Sequence, residues 1–275
     1  VQKLLLPWGQ LIEPEKWIFV IGCYSSGTTL LKKIISNHPQ IGGLSLEGVS
    51  LTDALPRPEE FGWTRLWYKC IDEIRLEPGP GMEKRAARAK KHWSLWFPKD
   101  VPNLVEKSVA NTARTPFLQE YFPPAYFIYI IRDGYAAAGG IREKADPGRW
   151  NNPNYEDEYP IELCAKQWLA SDEIVQQDRK NLDRFLQIYY EDLTENTEET
   201  VSRITNFLGI SDFPRKILQG KWNIHEKHEE INNMNERSFG RLTGEDVEKI
   251  RAVAGERLER HGYRPPDEGK LKRAD

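Results

Sequence analysis

The chain has 275 residues, of which 39% are hydrophobic, 29% charged and 11% aromatic, with 20 glycines and 18 prolines. That length can build one large α/β domain or two small ones, and the spread of Leu, Ile, Phe, Trp and Tyr excludes wholesale disorder. Lysine and arginine number 39 against 42 acidic residues, a net charge of −3, so no bulk positive field points to nucleic acid or an anionic membrane.

The opening stretch has only Leu4, Leu5 and Leu6 together before Pro7. A signal peptide needs about 7–15 apolar residues and a membrane helix ~20, so a soluble, cytoplasmic protein is expected. Cys23, Cys70 and Cys164 are odd in number and hold no CxxC pair. Buried thiols are expected rather than a disulfide framework or a zinc site, and no metal is expected.

Trp17 to Ile21 is a continuous apolar run closed by Gly22, the pattern of a central parallel strand buried on both faces. After a loop, Leu30, Leu31, Ile34 and Ile35 share one helical face, and His38-Pro39 stops that helix. The stretch from about Leu44 to Trp96 is less regular, and its run Lys84 to Lys91 reads as a solvated helix face.

Leu104 to Ser108 reads as a second strand, Phe117 to Phe122 as a helix, and Tyr126 to Ile131 as a third strand followed at once by Arg132. A helix begins near Ala136, and a polar loop runs from Asp146 to Pro160. A long amphipathic helix spans about Ile161 to Leu182, Phe185 to Tyr190 is a fourth strand, and Val201 to Leu208 lies in a helix. The last helix opens at Thr243-Gly244-Glu245-Asp246, a capping-box spacing, and runs to about Glu259. Strands alternating with helices predict a three-layer α/β domain, a parallel sheet flanked by helices. A single domain over 1–275 is expected, with its core at about 17–263 and a flexible tail at 264–275.

Gly22-Cys23-Tyr24-Ser25-Ser26-Gly27-Thr28-Thr29 has the glycine spacing of the phosphate-cradling GxxxxGK[ST] motif, between a strand and a helix. Glycines admit positive φ, and the helix start offers unpaired N–H groups to an anion. Thr28 stands where that motif has lysine, so the cation that reaches the outer phosphates of a triphosphate is missing, which points away from a kinase.

Together with Ser26-Gly27-Thr28-Thr29-Leu30-Leu31 and His38-Pro39, the chain carries Glu106-Lys107-Ser108 and Ile131-Arg132-Asp133-Gly134. It also carries Tyr190-Glu191-Asp192-Leu193 before Phe207-Leu208-Gly209. In this order, from Trp17 to about Tyr263, these motifs resemble the sulfotransferases that use PAPS, 3′-phosphoadenosine 5′-phosphosulfate.

The resemblance implies a P-loop-like nucleotide-binding fold, PAPS as cofactor, PAP (the desulfonated product) on release, and roles for particular residues. Ser26, Gly27, Thr28 and Thr29 match the loop that holds the 5′ phosphosulfate, with Ser25 and Leu30 flanking it. Arg132 matches the arginine on the 3′-phosphate, and Tyr190 is counted with the same nucleotide site. An arginine at the carboxyl end of a parallel strand projects into the ligand crevice, and its planar fork suits a phosphate; the alternative is a surface ion pair with Asp133 or Glu143.

Two positions depart from the family pattern. Ser25 stands where Lys or Arg is usual, and Gly140 stands where a serine, eight residues after the arginine, contacts the 3′-phosphate. Gly140 offers only its backbone N–H. Lys107 is the expected substitute cation near the sulfuryl group, while Lys32 and Lys33 are expected to be solvated.

Glu47, nine residues past His38, is the expected general base, its alternative being a helix N-terminal carboxylate; partial burial raises a carboxyl toward neutrality. Arg237 and Arg241 are expected as 3′-phosphate or lid contacts, with helix-flanking charge as the alternative. Arg114 and Asn111 are placed near the same end of the cofactor. His92, His225, His228 and His261 are read as without catalytic or metal company, the last three as solvated.

The expected function is sulfuryl transfer from PAPS to a hydroxyl or amine of a small-molecule acceptor, with self-association left open. The rings and carboxylates of the loop from Trp150 to Tyr159 favour a polar or cationic natural product, the alternative being an exposed acidic loop with no role. Competing readings are a P-loop small-molecule kinase and a nucleotide-binding protein that has lost catalysis.

Overall fold

The computed structural model describes residues 8–214, 231–272 and the backbone of 222–224 and 227–229. Five parallel strands form the central sheet: β1 (Lys16–Gly22), β2 (Ile41–Gly43), β3 (Asn103–Glu106), β4 (Ala125–Ile131) and β5 (Phe185–Tyr189), in the order β2-β3-β1-β4-β5. β6 (Trp222–Ile224) and β7 (Lys227–Glu229) form a separate antiparallel pair. β2, only three residues with two glycines, carries no apolar run and was invisible to periodicity.

The continuous apolar strands divide their side chains between two cores because successive residues face opposite ways. Trp17, Phe19 and Ile21 join Phe127, Tyr129 and Ile131 on one face, while Ile18 and Val20 join Ile128, Ile130, Val105 and Ile188 on the other. The second face is covered by α1 (Thr28–Ser36) through Leu31, Ile34 and Ile35, and by α7 (Thr197–Leu208) through Val201, Ile204 and Leu208. The first face takes α2 (Met82–Trp93), α3 (Thr115–Tyr121), α4 (Gly134–Lys144), α5 (Ile161–Asp178) and α9 (Gly244–Arg260). Trp17 sits at its centre, edge-on to Phe122 with ring centroids 5.2 Å apart. Two short helices, α6 (Tyr190–Glu195) and α8 (Asn235–Phe239), lie beyond the strand ends.

Local chemistry sets the helix starts. Asp133 caps α4, accepting from the N–H groups of Tyr135 and Ala136 at 2.8 and 3.2 Å. Thr243 and Asp246 form the expected capping box at α9. On α2 the basic run leaves Ala86, Ala89, His92 and Trp93 buried, so only part of it is a solvated face. Within the segment expected to be a tail, residues 268–270 make a 3₁₀ turn, and the Lys272 N–H donates to Leu242 O at 2.9 Å. None of the described helices is long and apolar enough to cross a membrane.

Register aligns the carboxyl ends of the strands along one edge. Phe19 pairs with Glu106, Gly22 with Ile130, and Ile131 with Tyr189. The residues that follow these strands, Lys107, the loop at 23–27, Arg132 and Tyr190, therefore emerge side by side, where open parallel sheets place their ligands.

Candidate active site

The loop after β1 turns tightly because of its glycines. The Gly22 N–H donates to Thr112 Oγ1 at 2.9 Å and Gly22 O accepts from the same hydroxyl, which ties the end of β1 to the turn after β3. Gly27 precedes α1 with φ 89°, and a Cβ there would lie 2.5 Å from Tyr190 Cδ2. No side chain caps α1, so its first-turn amides face the loop. Among the described residues, the buried Ser25 Oγ and Ser26 Oγ have no hydrogen-bond partner. Buried hydroxyls without partners cost free energy, and here they stand at a positive helix end.

Gly27→Ala tests this conformation. It is expected to cost about 1–3 kcal/mol through the left-handed backbone and the clash with Tyr190, read as a lower urea midpoint. An unchanged midpoint would show that the loop does not adopt this shape.

Arg132 is 6% exposed. Its Nε donates to Asn235 Oδ1 at 2.7 Å, Nη1 to Ser25 O at 2.7 Å and Nη2 to Ser238 Oγ at 3.1 Å. The guanidinium carbon lies 4.4 Å from the Tyr190 ring centroid. Burial lowers its pKa, opposed by the nearby Tyr190 and Glu191. All three acceptors are neutral, so this buried cation has no carboxylate in direct contact among the described residues. Such a group is poised for an anion.

Glu191 holds the surroundings in place. Its carboxylate accepts from Asp133 N at 3.1 Å, Asn235 Nδ2 at 2.8 Å and Tyr263 OH at 3.1 Å. Because a carboxylate only accepts, the Asn235 NH₂ must face Glu191, which turns its carbonyl to Arg132. The C-terminal segment thus reaches Arg132 through Asn235 and Ser238. Arg237 is exposed, and Arg241 pairs with Glu143.

The far side of the loop carries the second cluster. Lys107 Nζ donates to Glu47 Oε1; Lys107 is 9% exposed and Glu47 34%. Glu47 is fixed by the end of β3: Glu106 accepts from Gly48 N at 2.8 Å and from Asn111 Nδ2 at 2.7 Å, and also from Ser108 Oγ. Ser108 Oγ accepts from Val49 N at 3.1 Å, and Trp93 Nε1 donates to Gly48 O at 2.9 Å. Burial pushes the Glu106 carboxyl up, opposed by its hydrogen bonds.

Lys32 departs from expectation. Instead of being solvated, it turns inward and donates to Leu44 O, and burial with the adjacent Lys107 charge lowers its pKa. A helix wheel could not show this, because the carbonyl that captures it lies beyond β2. Near Tyr24 stand Glu59, Glu47 and Arg65, with the Arg65 guanidinium 5.7 Å from the Tyr24 ring centroid. Burial raises the Glu59 carboxyl, and Glu47 adds to the shift.

Burial and partners differ among the remaining residues. Arg114 is fully buried and donates to Ile74 O, Pro56 O and Asn111 Oδ1, so it fastens loops to each other. His92 is buried, its Nδ1 2.8 Å from Thr52 Oγ1. His261 is not solvated: its Nε2 lies 3.1 Å from the buried Asp172, which Tyr129 and Arg257 also contact. Glu156, Asp157 and Glu158 are exposed, while Tyr155 and Tyr159 pack on Trp63. The side chains of His225 and His228 lie outside the described residues. No group of three His, Cys, Asp or Glu that could hold a metal occurs among the described residues.

Comparison with known proteins converges on one family. A family model described as the sulfotransferase family matches residues 17–215. The protein-tyrosine sulfotransferase of Drosophila melanogaster is 24% identical over 201 residues, 70% of this chain and 38% of that protein. Protein-tyrosine sulfotransferase A of Caenorhabditis elegans is 25% identical over 214 residues, 70% of this chain and 50% of that protein. The matches thus span half or less of these two relatives.

Among solved structures, the sulfotransferase domain from the curacin biosynthetic pathway superposes with TM-score 0.54 at 16% identity, covering 94% of this chain and 100% of that one. A sulfotransferase from Mycobacterium avium gives 0.55 at 15% identity, covering 95% and 80%. At such identities these two show the shared fold.

Proposed function

The chain belongs to the sulfotransferase family, and from that premise we propose that it transfers a sulfuryl group from PAPS to a hydroxyl or amine of an acceptor. The observation that carries the donor assignment is the pairing of two anion sites across one crevice. At one end is the orphaned hydroxyl of Ser26 with the uncapped start of α1; at the other is the buried guanidinium of Arg132, with only neutral partners, one of them the Ser25 carbonyl. A donor with a 5′ phosphosulfate and a 3′-phosphate has an anion for each. Bound there, PAPS supplies an activated sulfuryl group whose leaving group is a phosphate.

Ser26, Gly27, Thr28, Thr29 and Leu30 hold the 5′ end, and Arg132, steadied by Tyr190, holds the 3′-phosphate. Glu47 takes the proton from the acceptor oxygen or nitrogen as its bond to sulfur forms and the bond from sulfur to the leaving phosphate oxygen breaks. Lys107, with Lys32 beside it, neutralises the charge that builds on that phosphate. Positioning and charge stabilisation dominate such in-line transfers.

The acceptor lies beside Tyr24, Glu47, Glu59 and Arg65. The partly buried Glu59 supports a polar or amine-bearing small molecule in place of the exposed carboxylates of the loop at 156–158. The names of the curated relatives support a second reading, a tyrosine phenol.

Calorimetry with PAP and with ATP plus Mg²⁺, followed by transfer from radiolabelled PAPS to a panel of small amines, phenols and tyrosyl peptides, tests both donor and acceptor. Tighter binding of ATP than PAP would return the chain to the kinase reading. PAP binding without transfer to any acceptor would favour a protein that has lost catalysis.

A further inference from the structure

Ser25 and Gly140 meet. Gly140 lies on α4 beneath the loop, and a Cβ built on it would stand 2.9 Å from both Ser25 Cβ and Ser25 Oγ. Ser25 is, among the described residues, one of three other than glycine with positive φ, at 61°, and its carbonyl accepts from Arg132 Nη1 at 2.7 Å. Its hydroxyl is buried without a partner among the described residues. The Ser25 side chain thus occupies the volume any side chain at position 140 would need, on the residue that Arg132 itself contacts.

We infer that Ser25 supplies the hydroxyl ligand for the anion held by Arg132, and that Gly140 is glycine because only glycine leaves room for it. This rests on the proposed PAPS reading and extends it. The two departures from the family pattern become one exchange: the hydroxyl comes from the loop instead of from α4. The left-handed backbone at Ser25 aims the side chain toward α4, and a non-glycine residue accepts that conformation at a cost that a functional contact explains. Ser25 therefore serves the 3′-phosphate end of the donor and is no substitute for a cation at the sulfuryl end.

The test is an exchange measured by calorimetry with two probes, PAP and adenosine 5′-monophosphate, which lacks the 3′-phosphate. Ser25→Gly removes the hydroxyl while suiting the φ of 61°. It is expected to weaken PAP by about 10-fold, the scale of one hydrogen bond to a charged group, with the monophosphate within about 2-fold. Gly140→Ser is expected to weaken PAP at least as much, by displacing Ser25.

The double variant Ser25→Gly/Gly140→Ser restores a hydroxyl from the other side without the clash and is expected to return PAP affinity to within about 3-fold of the parent chain. Additive losses in the double variant overturn the exchange, as does an equal loss for both probes in Ser25→Gly, a variant that removes atoms and opposes no packing. If the parent chain binds the two probes equally, the donor reading itself falls and this inference with it.

Discussion

Replacing Arg132 with alanine is expected to weaken PAP by roughly 30- to 1,000-fold, the effect of about 2–4 kcal/mol for removing a desolvated guanidinium from a phosphate. Adenosine 5′-phosphosulfate, which lacks the 3′-phosphate, is expected to change by less than about 3-fold. The reasoning follows from what surrounds the side chain. Its three neutral acceptors and the face of Tyr190 fix the fork without cancelling its charge. Titration calorimetry with both ligands decides the matter, and equal losses would contradict the assignment. Arg132→Lys retains the charge but loses the planar fork, and is expected to recover only part of the difference.

The second large effect concerns Glu47 and Lys107. Glu47→Gln removes the acceptor's proton sink and is expected to lower kcat by about 10²–10⁴-fold while PAP affinity stays within about 3-fold. Lys107→Met removes charge from the leaving phosphate, with an expected loss of about 10²–10³-fold in kcat. The two losses should fall well short of additive, because the groups contact each other directly and each variant leaves its partner unpaired. Single-turnover transfer from radiolabelled PAPS reads both. A Glu47→Gln enzyme of unchanged rate removes that residue as the base. Glu47→Gln is not expected to unfold the chain, since Glu47 is 34% exposed and the amide oxygen still accepts from Lys107.

A second group of charges centres on a buried carboxylate in α5. Asp172 is fully buried and meets Tyr129, Arg257 and His261, joining the middle of α5 to the end of α9. Nothing in the amino-acid pattern singles out Asp172, which reads as one more polar residue on a long helix. Burial raises its pKa, while His261 and the hydrogen bonds outweigh burial and hold the carboxyl below its usual value. Partners 85 and 89 residues away in the chain make that state possible, and only packing brings them there.

Four of the five sheet strands (β1, β3, β4 and β5), the loop at 22–29, the cap of α9 and the placing of Arg132 directly after a buried strand follow from the sequence alone. Each depends on residues within a few positions of one another: an apolar run, a glycine spacing, a capping pair. The tertiary structure alone decided which side chains those elements bring together. It set Glu47 on Lys107 across 60 residues, Arg132 on Ser25 and Asn235 across 107 and 103, and Ser25 against Gly140. It also turned Lys32 inward and left Arg237 in solvent. Those contacts arise from strand register and from how helices settle on the sheet, quantities that no short stretch of chain encodes, because each is fixed by the packing of all the others.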